Sequence, residues 1–536
     1  MRFSGFALSL LLLAVSNASA ADAPAPQWIV VMAPAFRNAV KPLLDHRKAQ
    51  GFQTTPVLTT DVLSAEEIRA GDGRKLRLHV NKLCRDHDGP SYVLLVGAVW
   101  AGRPEEAERT VVPPLDGGVG RMKDQPSDNG YGCLNDDHQP SVPVGRFPAR
   151  TKEEAQQMVR KTLAYEGDDK PGAWRQRLTI LAGVPAYNPL VDRMIEAMAF
   201  VRLDRFDPSW TGRVVYSNPQ SRFCPPDDEL QSVALKYVED GEAWTLYLGH
   251  SNPEGLWGGG AHYLDRHDWS RLKIKRGAGV FATFGCNGCQ LVGERGEGYG
   301  VAAMRNPDGP VAVIGSHGVC FAAMVQLATD GLVESTFSGK MPERLGASWL
   351  AVKAGLAKGK IDDVIFQLLD AVDGDGNIPQ ATQRLEHLEM FTLLGDPALK
   401  LAVTPADLVL KTDDAAPEAT LTIHGTAPAR LNGGQVHVVV ERPVISSPTN
   451  LIPLPKELGR ERNGVLMRNH DRANRFVLDE GTTTIKDGRF EVKLQLPAKM
   501  PWKRLNVRAY AATPTEEALG TLRLDVQAPH QESPHR

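Results

Sequence analysis

The stretch Gly279-Val280-Phe281-Ala282-Thr283-Phe284-Gly285-Cys286 decides the fold. It is a continuous apolar run of strand length that ends in a glycine and then a thiol. A strand without polar alternation is buried on both faces, as in a parallel sheet covered by helices. Two runs of the same kind flank it: Ala243-Trp244-Thr245-Leu246-Tyr247-Leu248-Gly249-His250 before it and Gly309-Pro310-Val311-Ala312-Val313-Ile314-Gly315-Ser316 after it. Further upstream lie Gln27-Trp28-Ile29-Val30-Val31-Met32, Pro56-Val57-Leu58, Ser91-Tyr92-Val93-Leu94-Leu95-Val96-Gly97 and Leu178-Thr179-Ile180-Leu181-Ala182-Gly183. Residues 36–51, 65–86 and 192–201 carry helical spacing between them. Strands alternating with helices predict an α/β fold, with an open, mostly parallel sheet and helices on both faces.

After Leu401 the pattern changes. Residues 408–411, 419–424, 435–441, 489–496 and 505–511 alternate apolar and polar side chains between turn residues, the mark of an all-β sandwich. Val403-Thr404-Pro405 marks the boundary, and residues 446–479, rich in Pro, Asn and Arg, read as a long inter-strand loop.

A chain of 536 residues is long enough for several domains. Its 61 Lys and Arg against 64 Asp and Glu leave a charge of −3 with no long run of one sign, which argues against nucleic acid or an anionic membrane as partner. The chain opens with Met1-Arg2, an apolar core over residues 6–15 and Ala18-Ser19-Ala20, the form of a secretory signal cut after Ala20. No later stretch reaches the roughly 20 apolar residues of a membrane span. A secreted or periplasmic protein is expected. Six cysteines (Cys84, Cys133, Cys224, Cys286, Cys289, Cys320) are too sparse for a disulfide framework, although some could pair after export.

Two strand ends carry nucleophile chemistry. His250 and Cys286 each follow a glycine, and in open α/β sheets the crevice at the carboxyl ends of the strands is where ligands bind. A thiolate beside an imidazole is the minimum nucleophilic couple, and the amides of Ser251 and Cys286 are candidates to hold an oxyanion. The plain alternatives are a hydrogen-bonded structural histidine and a buried, inert cysteine. Cys286-Asn287-Gly288-Cys289 is also a C-x-x-C, open to a redox pair, a disulfide or half of a zinc site, but no second ligand pair follows at zinc spacing. Ser316 and His317 end another strand and are read as site-wall residues; Trp257 is a candidate pocket wall beside His250. Asp373, Asp375 and Asn377 open like a calcium loop, yet Ile378 stands where glycine is required, so a solvated turn is expected. Residues 135–138 read as a polar turn.

These residues together resemble the gingipain-type cysteine peptidases, a family with a caspase-like fold. The resemblance runs from about Trp28 to Leu401. It is carried in order by Tyr92-Val93-Leu94-Leu95-Val96-Gly97, Ser127-Asp128-Asn129-Gly130-Tyr131-Gly132, Val144-Gly145-Arg146-Phe147-Pro148-Ala149, Tyr165-Glu166, Tyr247-Leu248-Gly249-His250, Phe284-Gly285-Cys286-Asn287-Gly288, the 309–316 strand and Phe391-Thr392-Leu393-Leu394-Gly395-Asp396-Pro397. It implies a Cys286–His250 dyad, with Cys286 rather than Cys289 as nucleophile because Asn-Gly follows it. It further implies α/β subdomains at 21–170 and 171–403, an immunoglobulin-like sandwich at 404–528 and, beyond it, a tail at 529–536. Ser251 stands where the family usually has glycine. Arg150 and Arg160, candidate substrate-binding residues, fall where members with Arg or Lys preference carry acidic residues, which argues against that preference and leaves a cationic pocket open, with Glu153 or Glu154 as alternative partners of the histidine.

The function expected is an exported cysteine endopeptidase acting on protein or peptide substrates, with no organic cofactor, no catalytic metal and room for a structural calcium ion. The rivals are an inactive binding protein of the same fold and a thiol–disulfide oxidoreductase using Cys286 and Cys289.

Overall fold

Ten strands form one sheet in the computed structural model. It describes residues 24–526 except Ala101, Asp136, Ala261, Glu294, Arg295, Lys340, Asp413 and Asp414. The segment 1–20 expected to be a signal and the expected tail 529–536 lie outside the described residues.

The strands are β1 (Gln27–Met32), β2 (Gln53–Leu58), β3 (Ser91–Val96), β4 (Val144–Phe147), β5 (Arg177–Ala182), β6 (Thr211–Tyr216), β7 (Glu242–Leu248), β8 (Ala278–Phe284), β9 (Ala312–Ser316) and β10 (Phe391–Leu394), in the order β2-β1-β3-β4-β10-β9-β8-β7-β5-β6. All neighbours are parallel except β9 and β10. The sheet runs without a break through both expected subdomains, because β10, late in the chain, inserts between β4 and β9.

Side chains alternate across the sheet and seed two cores. Leu181, Tyr247, Phe281 and Val313 belong to the core on the side of the sheet that carries helices α1 (Arg37–Ala49) and α2 (Lys152–Glu166). Ile180, Leu246, Phe284 and Ile314 face the other way, toward α3 (Pro189–Leu203), α4 (Ala322–Leu332) and α5 (Val364–Asp373). Strands covered on both sides need apolar residues at every position, which is why their sequences do not alternate.

Several of the resemblance motifs are structural joints. Arg47 of α1 is fully buried and bonds Glu166 at 2.8 Å and Asp396 at 2.7 Å, tying α1, the end of α2 and the turn after β10 together. Arg146 of β4, also fully buried, grips Asp128 through two hydrogen bonds of 2.7 and 2.6 Å. Paired charges of this kind stay charged in the interior because each lone pair and proton is met.

The C-terminal region is an antiparallel β domain. One sheet holds β11 (Val409–Lys411), β12 (Thr420–Thr426) and β15 (Arg489–Gln495); the other holds β13 (Gln435–Glu441), β14 (Val477–Thr484), β16 (Arg504–Ala512) and β17 (Glu517–Asp525). Leu421, Ile423 and Leu494 from the first pack with Val436, Val438 and Val507 from the second. The domain is anchored to the α/β region by Arg175–Glu517 at 2.7 Å and Arg504–Asp204 at 2.6 Å.

The 446–479 stretch is not a loop throughout. It contains helix α6 (Arg460–Asn474) and the start of β14. Asn474, the last residue of α6, accepts the Val214 N–H at 2.7 Å and donates to the Val214 carbonyl at 3.0 Å. One side-chain amide thus occupies backbone groups on the open edge strand β6, the kind of cover that exposed edges require.

Candidate active site

Register sets the two reactive side chains side by side. Leu248 of β7 pairs with Phe284 of β8, and two residues beyond each lie His250 and Cys286. The glycines between are required by space. A Cβ on Gly249, whose φ is +149°, would lie 2.8 Å from the Gly183 nitrogen. One on Gly285 would lie 2.3 Å from the Ser251 hydroxyl and 2.8 Å from the Gly249 carbonyl. Asn287 follows Cys286 with φ +56°, a left-handed conformation that asparagine accepts more readily than most residues. The chain therefore turns sharply at Cys286 and leaves its sulfur partly exposed.

His250 is exposed at the strand end, and its Nε2 meets the Pro185 carbonyl at 2.9 Å. A carbonyl only accepts, so Nε2 carries the proton and Nδ1 of the neutral ring is left as the base. The orienting partner is thus a backbone oxygen in the loop after β5. The Tyr187 ring stands edge-on to the imidazole with centroids 6.2 Å apart, and the Tyr247 hydroxyl bonds the His250 carbonyl.

Ser251 accounts for its departure from glycine. Its backbone avoids positive φ, and its hydroxyl donates to the Cys286 carbonyl at 2.8 Å, joining the two strand ends.

The Cys286 sulfur receives the Cys320 backbone N–H at 3.4 Å. Hydrogen bonding from the Cys320 thiol and that amide, with His250 adding to it when its ring is protonated, pulls the Cys286 thiol down to about 7, against burial and the Asp373 carboxylate. The other thiols move the opposite way. Burial pushes Cys84 up to about 11, Cys133 and Cys224 to about 12, and raises Cys289 and Cys320. A lowered, accessible thiol is the reactive kind; buried ones with raised values are inert.

The C-x-x-C does not bring its sulfurs together. Cys289 is fully buried in the core that faces α1 and α2, whereas Cys286 packs on the opposite core, and all six cysteines are free. That separation removes the geometric basis for a Cys286–Cys289 redox pair.

A cavity of about 260 Å³ opens at the dyad. Gly249, His250, Gly285, Cys286, Cys320 and Asp373 are among its lining residues. Asp373 ends α5, accepts the Ala322 N–H at 2.7 Å and is hydrogen-bonded to Tyr187, while Asp375 is turned to the Asn377 N–H at 2.9 Å. The would-be calcium segment is therefore split between site and turn. Among the described residues no three His, Cys, Asp or Glu side chains converge where a metal ion would sit.

Five of the expected substrate-binding residues lie elsewhere. Arg150 pairs with Glu297 at 2.6 Å, and Arg160 is exposed on α2. Both belong to the face of the sheet opposite the cavity, and neither lines it. Glu154 accepts the Arg150 N–H at 2.7 Å near the start of α2, and Glu153 is exposed there; neither orients His250. Ser316 is fully buried and bonds the Gly318 backbone; His317 is buried with Nε2 3.3 Å from the Glu389 carbonyl. Trp257 lies in the hairpin after His250, edge-on to His262, and does not line the cavity. His138, from the polar turn, pairs with Glu389 at 2.7 Å. Pro185, Cys320 and Asp373 carried no local signal that placed them at the site.

A search of curated proteins found no match. Among solved structures, the chain is similar to the Arg-specific cysteine proteinase gingipain R (RgpB), with 16% identity, a TM-score of 0.51 and coverage of 94% of this chain and 98% of that one. It is similar also to the complex of Porphyromonas gingivalis RgpB pro- and mature domains, with 16% identity, a TM-score of 0.50 and coverage of 94% and 100%. At such identity the likeness carries the fold. The sequence profile of peptidase family C25 matches residues 21–402, and the chain belongs to that family.

Proposed function

We propose that this chain is an exported cysteine endopeptidase in which Cys286 is the nucleophile and His250 the general acid–base. The observation that carries the reading is the contrast among thiols: Cys286, beside His250 in the lining of a cavity, is the one pulled down to about 7.

Nδ1 of His250 takes the Cys286 proton, and the thiolate attacks the substrate carbonyl carbon. The carbonyl oxygen becomes an oxyanion held by the amides of Ser251 and Cys286, which the Ser251–Cys286 hydrogen bond fixes relative to each other. The imidazolium gives its proton to the leaving amine as the peptide bond breaks, leaving a thioester. Water, deprotonated by His250, hydrolyses the thioester and returns the thiol. The Pro185 carbonyl holds the imidazole in the tautomer that both proton transfers need.

Export is supported by the form of residues 1–20, and among the described residues no helix is long and apolar enough to cross a membrane. The test is cleavage of a diverse peptide library by residues 21–536 under reducing conditions, with Cys286→Ala and His250→Ala alongside. Cleavage lost in both variants supports the dyad. No cleavage by the parent, even after trial proteolytic activation and added calcium, moves the reading to a binding protein of the same fold.

A further inference from the structure

We propose that the cavity beside Cys286 receives the substrate side chain preceding the scissile bond, and that it selects a large apolar one, aromatic or long aliphatic. The inference rests on the peptidase reading and adds the substrate class.

Position comes first. The cavity is continuous with the dyad, because Gly249, His250, Gly285 and Cys286 line it and His250 is exposed at the strand end. A carbonyl carbon held at the Cys286 sulfur puts the adjacent side chain at that opening. From there the space runs under the carboxyl ends of β5, β7 and β8, with Ile180, Leu246 and Phe284 as one wall and Met198, Val325 and Leu369 from α3, α4 and α5 as the other. About 260 Å³ is ample for a phenylalanine or leucine side chain.

Charge comes second. Three charged residues line the cavity, and each is engaged within the protein. Arg202 is held by Asp330 through hydrogen bonds of 2.6 and 3.1 Å. Glu196 accepts the Ser221 hydroxyl at 2.6 Å, and burial raises its pKa toward the neutral form. Asp373 is tied to the Ala322 amide and to Tyr187. A basic or acidic side chain entering here would lose its water and find its possible partners already bonded, a penalty that an apolar side chain escapes. The same reasoning separates this pocket from the Arg specificity named for gingipain R.

The experiment compares fluorogenic peptides that differ only at the residue before the scissile bond: Phe, Leu, Met, Ala, Arg, Lys, Glu and Asp. For the parent protein, kcat/KM for Phe, Leu or Met should exceed that for each charged residue by about 10²-fold or more. Val325→Trp, which intrudes on the cavity, should lower the Phe-to-Ala ratio by about tenfold. Cleavage that depends on Cys286 but favours a charged residue, or a Phe-to-Ala ratio unmoved in folded Val325→Trp, overturns the pocket assignment and leaves the peptidase reading standing. Absence of cleavage across the whole panel overturns both.

Discussion

The two faces of the ten-stranded sheet solve burial differently. On the face of α1 and α2, fully buried Arg47 forms a closed charge network with Glu166 and Asp396. On the face of α3, α4 and α5 the helices stand off the sheet, and a cavity of about 260 Å³ ends at Cys286. Protein interiors pack to crystal-like density, so an open volume beside a thiol of lowered pKa marks a candidate site. Glu166 and Asp396, from two of the resemblance motifs, belong to the closed face, where they hold Arg47, whereas Tyr165 beside Glu166 packs into the other core. The C-x-x-C spans both faces: Cys289 is locked into one, and Cys286 lines the cavity on the other.

The largest expected effect is on the open face. Cys286→Ala or His250→Ala should each lower kcat by about 10⁴–10⁶-fold, read from peptide hydrolysis, with melting temperature little changed. On the closed face the effect should be on stability. Arg47→Ala leaves Glu166 and Asp396 buried without their cation and should reduce unfolding free energy by about 3–5 kcal/mol in denaturant titration. If it instead abolished Cys286 alkylation in the folded protein, the two faces would not be separable.

The pH response sharpens the same contrast. Cys286 is an acid whose value in the folded state is lowered to about 7, so its thiolate is present above that pH and lost as pH falls through it. Its alkylation rate should reach half its maximum near pH 7. Cys289, raised by burial, should stay unlabelled until the protein unfolds. The smallest effect expected is for Ser251→Ala, which deletes the bond to the Cys286 carbonyl. It should cost about 1 kcal/mol of stability by thermal melting, with a modest drop in kcat.

The sequence made the site's centre legible for a physical reason. A strand buried on both faces has an unbroken apolar signature, and the glycines before His250 and Cys286 are forced by backbone crowding, so both strand ends announce themselves. Pro185 contributes only a carbonyl, which any residue has. Cys320 and Asp373 reach the site because the loop after β9 meets the end of α5, and spacing along one chain does not encode which segments meet. Arg150 and Arg160 were assigned to the pocket by position in the chain, yet the segment that carries them packs on the opposite face. Helix α6 was hidden because it docks through polar side chains such as Asn474 and lies among prolines and asparagines that read as loop.

The central claim is that Cys286, activated by His250, is the nucleophile of this chain. The most direct measurement is the intact mass of the protein after reaction with a thiol-reactive peptide probe at neutral pH under mildly reducing conditions, for the parent, Cys289→Ala, Cys286→Ala and His250→Ala. The account predicts one adduct on the parent and on Cys289→Ala, none on Cys286→Ala and a strongly slowed reaction for His250→Ala. An adduct that persists in Cys286→Ala, or that requires Cys289, would contradict it.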